Sequence, residues 1–157
     1  MASEFNANDI FEMAKQIEIN GVKFYTESAN RVDEENHKQF LLGLADMEKN
    51  HEQIFADMQK DLTAEITMAE TFDPEDENVL YLKALADTRV FFEKKQPETS
   101  MKGILASAIA AEKDSIVFYL GMKELVSEKM GNSKIDDIIK EEMSHIKMLA
   151  AKLVGLE

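Results

Sequence analysis

Apolar residues recur along this chain at intervals of three and four, the spacing that turns one face of an α-helix toward a core. The first such run covers about residues 8 to 32, where Ile10, Ala14, Ile17, Gly21, Val22, Phe24, Tyr25 and Ala29 share a side; Asn8 or Asp9 is the expected N-cap. The second begins between Asp33 and Asn36, carries Phe40, Leu41, Leu44, Ile54, Phe55, Met58 and Leu62 on one side, and extends toward Ala69. Between Thr71 and Pro97 the pattern weakens. Phe72-Asp73-Pro74 reads as a breaker, followed by a shorter helix from Val79 through Phe91-Phe92. A third long helix opens after Pro97 with Thr99 or Ser100 as cap, shows Ile104, Leu105, Ala108, Ile109, Ile116, Tyr119 and Leu120, and stops before Gly131. The fourth opens at Ser133, placed with Asp136 as in a capping box, and shows Ile135, Ile138, Ile139, Ile146, Leu149 and Leu153.

Two short connections and one long one predict an all-α four-helix bundle with a crossover, containing a short helix, between its second and third helices. Six glycines and two prolines, set among runs of Ala, Leu, Glu, Lys and Met, agree with helix nearly throughout. A chain of 157 residues with 45% hydrophobic content suits one domain, 1–157. Its formal net charge of −13 argues against nucleic acid or an anionic membrane as partner, since both demand a basic surface, and makes cations the natural counterpart. No cysteine occurs, so any metal must sit on oxygen and nitrogen. The N-terminal segment has no basic region followed by an apolar run, and no apolar stretch approaches about 18 residues. A soluble, cytoplasmic protein is expected.

Shifting the sequence on itself by 94 residues changes the picture most. Glu18 then falls on Glu112, Phe24 on Phe118, Tyr25 on Tyr119, Glu48 on Glu142 and His51 on His145. The chain is thus an internal repeat, about 8–69 and 99–154, joined by a crossover at 70–98. Each half has a Glu on its first helix and a Glu-x-x-His on its second, 30 positions later. In a hairpin turning near Asp33, Glu18 and Glu48 lie about equally far from the turn, roughly 20 Å along each axis at about 1.5 Å per residue. They meet at one level, and residues three apart share a face, so each Glu can converge with its His on one ion.

All four carboxylates fall inside apolar stripes. Burying one alone costs several kcal/mol, and four at one height would repel one another. Lys or Arg could neutralise them, but the stripes carry neither at matching positions. Two metal ions bound by Glu18, Glu48, His51, Glu112, Glu142 and His145 remove both penalties. Four carboxylates and two imidazoles are the donor set of dinuclear iron and manganese bundles, and the hard ligands do not separate those two metals.

At the segments QIEINGVKFY, ADMEKNHEQIF, AAEKDSIVFY and KEEMSHIKML the sequence resembles the rubrerythrin-like branch of the ferritin-like di-iron carboxylate proteins, over nearly its whole length. The resemblance implies a ferritin-like bundle with two Fe ions per chain that reduces hydrogen peroxide or dioxygen, as a peroxidase or ferroxidase-like oxidoreductase. It further implies that Glu48 and Glu142 bridge, while Glu18 with His51 and Glu112 with His145 complete the two shells. Two departures stand out. Rubrerythrins proper add a cysteine-rich rubredoxin domain; with no Cys here, electrons must come from a separate donor protein. They also carry an extra Glu three residues after the third-helix ligand, where this chain has Ser115. The alternative reading is a protein that binds, stores or senses iron without turnover.

Tyr25 and Tyr119 lie seven residues, two helical turns, beyond Glu18 and Glu112 and face the same core. Their phenols are expected to donate to ligand carboxylates and assist the chemistry, ordinary core aromatics being the alternative. His37 shares a face with Glu48 but sits about 16 Å along the axis, so it is not expected to be a ligand. The expected assembly is a homodimer, the long crossover making helix-pair exchange conceivable.

Overall fold

The computed structural model describes residues 6–62, 75–87 and 98–156. Helix α1 spans Ala7–Ala29, α2 Glu35–Lys60, α3 Glu77–Asp87, α4 Met101–Leu125 and α5 Asn132–Gly155, with a 3-10 turn at Glu128–Met130. Helix α2 ends at Lys60, short of Ala69. The expected breaker at Phe72-Asp73-Pro74 and the helix end at Phe91-Phe92 lie outside the described residues.

Two caps differ from the pattern-based expectation. Helix α1 is capped by Asn6 rather than Asn8 or Asp9: the Asn6 side chain accepts from the Asp9 backbone N–H at 3.2 Å, and the Asp9 carboxylate accepts from the Asn6 N–H at 2.9 Å. Each satisfies an N–H that the helix itself leaves orphaned. Helix α5 begins one residue earlier than expected, on Gly131 with φ +103°, and no box forms between Ser133 and Asp136. Asp136 instead pairs with Lys123 at 2.6 Å, and the Asn132 amide donates to the carbonyls of Lys123 and Val126 at 2.8 and 2.9 Å, closing the end of α4. Gly131 suits this corner for two reasons: its φ is strained for any L side chain, and a Cβ there would come within 2.7 Å of Met58 Cε. Ser100, one of the two residues expected to cap α4, does so through the Gly103 N–H at 3.0 Å.

Helix α1 packs along α2, α4 along α5, α1 against α4, and α3 against α4. At the last contact Gly121 leaves room for the Tyr81 ring, which would meet a Cβ at 2.5 Å. Two apolar clusters divide the bundle by height. One joins Phe11, Ile17, Phe55, Phe118, Tyr119 and Ile138; the other joins Tyr25, Leu41, Leu44, Ile104, Leu105 and Leu149. The first uses the N-terminal parts of α1 and α5 with the C-terminal parts of α2 and α4, and the second uses the opposite parts. Helices α1 and α5 therefore run one way and α2 and α4 the other. Between the clusters, at mid-height on every long helix, the buried residues turn polar.

Candidate metal centre

That polar layer consists of Glu18 on α1, Glu48 and His51 on α2, Glu112 on α4, and Glu142 and His145 on α5, each at most 3% exposed. All six residues singled out from the sequence thus come together. His51 Nδ1 lies 2.7 Å from Glu142 Oε1, 3.6 Å from Glu18 and 3.8 Å from Glu48. His145 Nδ1 lies 3.2 Å from Glu48 Oε1, 3.5 Å from Glu142 and 3.6 Å from Glu112. The two imidazole rings stack with 5.6 Å between centroids.

Donor atoms of Glu18, Glu48, His51 and Glu142 all lie within 4.8 Å of one another, and so do those of Glu48, Glu112, Glu142 and His145. The two groups share Glu48 and Glu142. One carboxylate oxygen on each of the four glutamates, together with His145 Nδ1, is buried without a hydrogen-bond partner. Buried polar atoms are seldom left so, because desolvation goes uncompensated. Orphaned oxygens and a nitrogen facing a common centre fit a pair of divalent cations, which would supply the missing partner to all of them.

Charges in the metal-free centre sort themselves accordingly. Burial, reinforced by the Glu48 charge, raises Glu18 and Glu112 well above the usual carboxylate range and so favours their neutral acid form. Burial also opposes ionisation of Glu48 and Glu142, but close contacts with the neutral acids and both imidazoles outweigh it and lower their pKa values. For His145, burial disfavours the cation, yet the carboxylates of Glu112, Glu142 and Glu48 push its pKa up to about 12. His51 is raised for the same reason by Glu142, Glu18 and Glu48. Two imidazolium ions thus balance two carboxylates, occupying the electrostatic role open to two dications.

Tyr25 donates to Glu112 Oε1 at 2.7 Å and Tyr119 to Glu18 Oε1 at 2.5 Å. Each phenol enters the polar layer from its own apolar cluster and crosses to the other half of the repeat. Burial, then the nearby carboxylates, raise both phenols far above their ordinary pKa, so they remain donors. Phenylalanine at position 119 is expected to lower metal-free stability by about 1–3 kcal/mol, because Glu18 then loses its donor without gaining water. Chemical denaturation of Tyr119→Phe measures this; an unchanged midpoint would mean that Glu18 finds another partner.

Ser115 is buried, and its hydroxyl donates to the Ala111 carbonyl at 3.1 Å, so α4 sends no second carboxylate into the layer at that point. His37 stands beside Glu34 and apart from the cluster. One contributor was not anticipated. Glu141, half-exposed on α5, contacts His51 Nε2, the ring nitrogen facing away from the four carboxylates. The repeat hid it, because the matching position in the other half is Met47; its place immediately before Glu142 was the available signal.

Fold and site together define a ferritin-like, all-α protein with a buried carboxylate and histidine centre suited to metal. The rubrerythrin family profile matches residues 9–153, and the chain belongs to the rubrerythrin family. A crystal structure from Thermotoga maritima, of a protein assigned as a ferritin-like diiron-carboxylate protein, superposes over 100% of both chains with a TM-score of 0.71. Its sequence identity of 22% limits that likeness to the fold. No curated protein matches the sequence. Among the described residues, no helix is long and apolar enough to cross a membrane.

Proposed function

We propose that this protein is a di-iron oxidoreductase that reduces hydrogen peroxide or dioxygen. Two overlapping four-residue donor groups sharing Glu48 and Glu142 carry the reading. Glu18 and His51 would hold one iron, Glu112 and His145 the other, and Glu48 and Glu142 are available to both. Membership of the rubrerythrin family favours iron over manganese. A bound pair of irons supplies the redox chemistry, two electrons shared between neighbouring ions.

The chain's own residues do the rest. The two apolar clusters above and below the layer exclude bulk water, which strengthens every charge interaction inside. Tyr25 and Tyr119 hold the outer carboxylates in position, and Glu141 fixes the orientation of His51. Phenols that stay protonated keep a hydrogen-bond donor on the Glu112 and Glu18 edges of the centre. Electrons for repeated turnover come from a donor outside these 157 residues, which contain no cysteine.

Stopped-flow mixing of the anaerobic ferrous protein with peroxide or dioxygen tests the reading. Rapid oxidation, seen as growth of near-ultraviolet ferric absorbance, is the expected result. A ferrous protein inert to both oxidants for minutes would leave iron binding, storage or sensing as the function.

A further inference from the structure

Between α2 and α5, the helices bearing the two Glu-x-x-His pairs, lies an open cleft of about 580 Å³. Gly43, Asp46 and Asn50 line it from α2, and Glu141, Ser144 and His145 from α5. His145 belongs to the cleft and to the centre at once: it is among the residues lining the cleft, while its Nδ1 stands among the carboxylates of Glu48, Glu112 and Glu142. The cleft therefore adjoins the centre at this residue.

Asp46 and Glu141 bring carboxylates to the walls, no Lys or Arg is among the lining residues, and Met47 and Met148 supply apolar flanks; the His145 imidazole is the cationic group at the inner wall. Carboxylates set in low-dielectric walls raise the local concentration of cations. The repeat adds an asymmetry. His51 has Glu141 at its outer nitrogen, whereas the matching position in the first half is Met47, whose thioether is only a weak acceptor. Of the two imidazoles, the one on the cleft has no carboxylate at this matched position.

We propose that this cleft is the path by which a divalent cation reaches the centre, drawn in past Asp46 and Glu141 and admitted at the edge of His145. The inference rests on the reading of the buried layer as a metal centre. It names a cation because a neutral oxidant would gain nothing from the two carboxylates.

Gly43 allows a direct test, since a Cβ there has no atom within 4 Å and a larger side chain would extend into open space. Ser144→Phe fills the cleft from the opposite wall. Metal-free protein is mixed with Co(II), and the rise of the d–d absorbance gives the uptake rate, with final cobalt content determined by elemental analysis. Gly43→Phe and Ser144→Phe should each slow uptake by about tenfold or more, since loading now needs the helices to part, while binding the same final amount. Asp46→Asn should slow it by about two- to fivefold and weaken its dependence on ionic strength. Circular dichroism establishes that each variant folds, and either filled variant suffices. Wild-type uptake rates in a folded, filled variant would overturn the proposal while leaving the metal centre intact. If the unmodified protein took up no Co(II), the metal-centre reading would fail and the proposed path with it.

Discussion

Replacing Glu48 with alanine is expected to remove metal from the centre altogether, or to leave at most one weakly held ion per chain in place of the two proposed for the parent. Glu48 belongs to both donor groups, so its loss takes a ligand from each ion and removes a carboxylate that would keep the two cations from repelling each other. Glu142→Ala should behave alike, for the same reason. Glu18→Ala and Glu112→Ala should be milder, each weakening mainly one ion, because each residue belongs to one group. Elemental analysis of the folded variants after iron loading decides the matter. Full occupancy in Glu48→Ala and Glu142→Ala would end the sharing role assigned to them.

Metal loading itself should produce the second large effect. The six donors converge only in the folded chain, so a cation at about a thousand times its dissociation constant stabilises by about 4 kcal/mol. For a domain of this size that corresponds to a rise in Tm of about 8 °C or more. Loading must also expel protons. The raised pKa values of Glu18, Glu112, His51 and His145 favour their protonated forms in the metal-free centre, and each must lose its proton to act as a ligand. Protons should therefore leave as dications enter. The sign follows directly. All four metal-free pKa values are raised, so protons compete with metal throughout the acid and neutral range, and affinity climbs as pH rises. Calorimetry in buffers of different ionisation enthalpy counts the protons, and thermal melts with chelator or with Fe(II) measure the stabilisation. Equal melting in both conditions, or binding without proton release, would contradict a buried centre of this composition.

What the sequence determined by itself was the set of elements and the identity of the six residues that meet in the buried polar layer. Helical periodicity is a local property, carried by residues three and four apart, so it identifies α1, α2, α4 and α5 before any packing is known. A carboxylate in the middle of an apolar stripe is likewise visible in one dimension, and its recurrence at a shift of 94 residues ties four such positions to one height. Cross-helix detail is different, because it depends on how far each helix is rotated about its axis and on how closely neighbours approach. That Tyr25 reaches Glu112, and Tyr119 reaches Glu18, is a matter of packing between the halves, which spacing within one helix cannot state. Glu141 was missed for the same reason: it sits at the edge of α5, and only the position of α2 beside it brings His51 within reach. The helix ends also required the fold. Asn132 spends its amide on the last carbonyls of α4, and Asp136 its carboxylate on Lys123, so the box that Ser133 suggested has no occasion to form. The cleft between α2 and α5 is the most three-dimensional feature of all, since it exists only as the space that two helices leave between them.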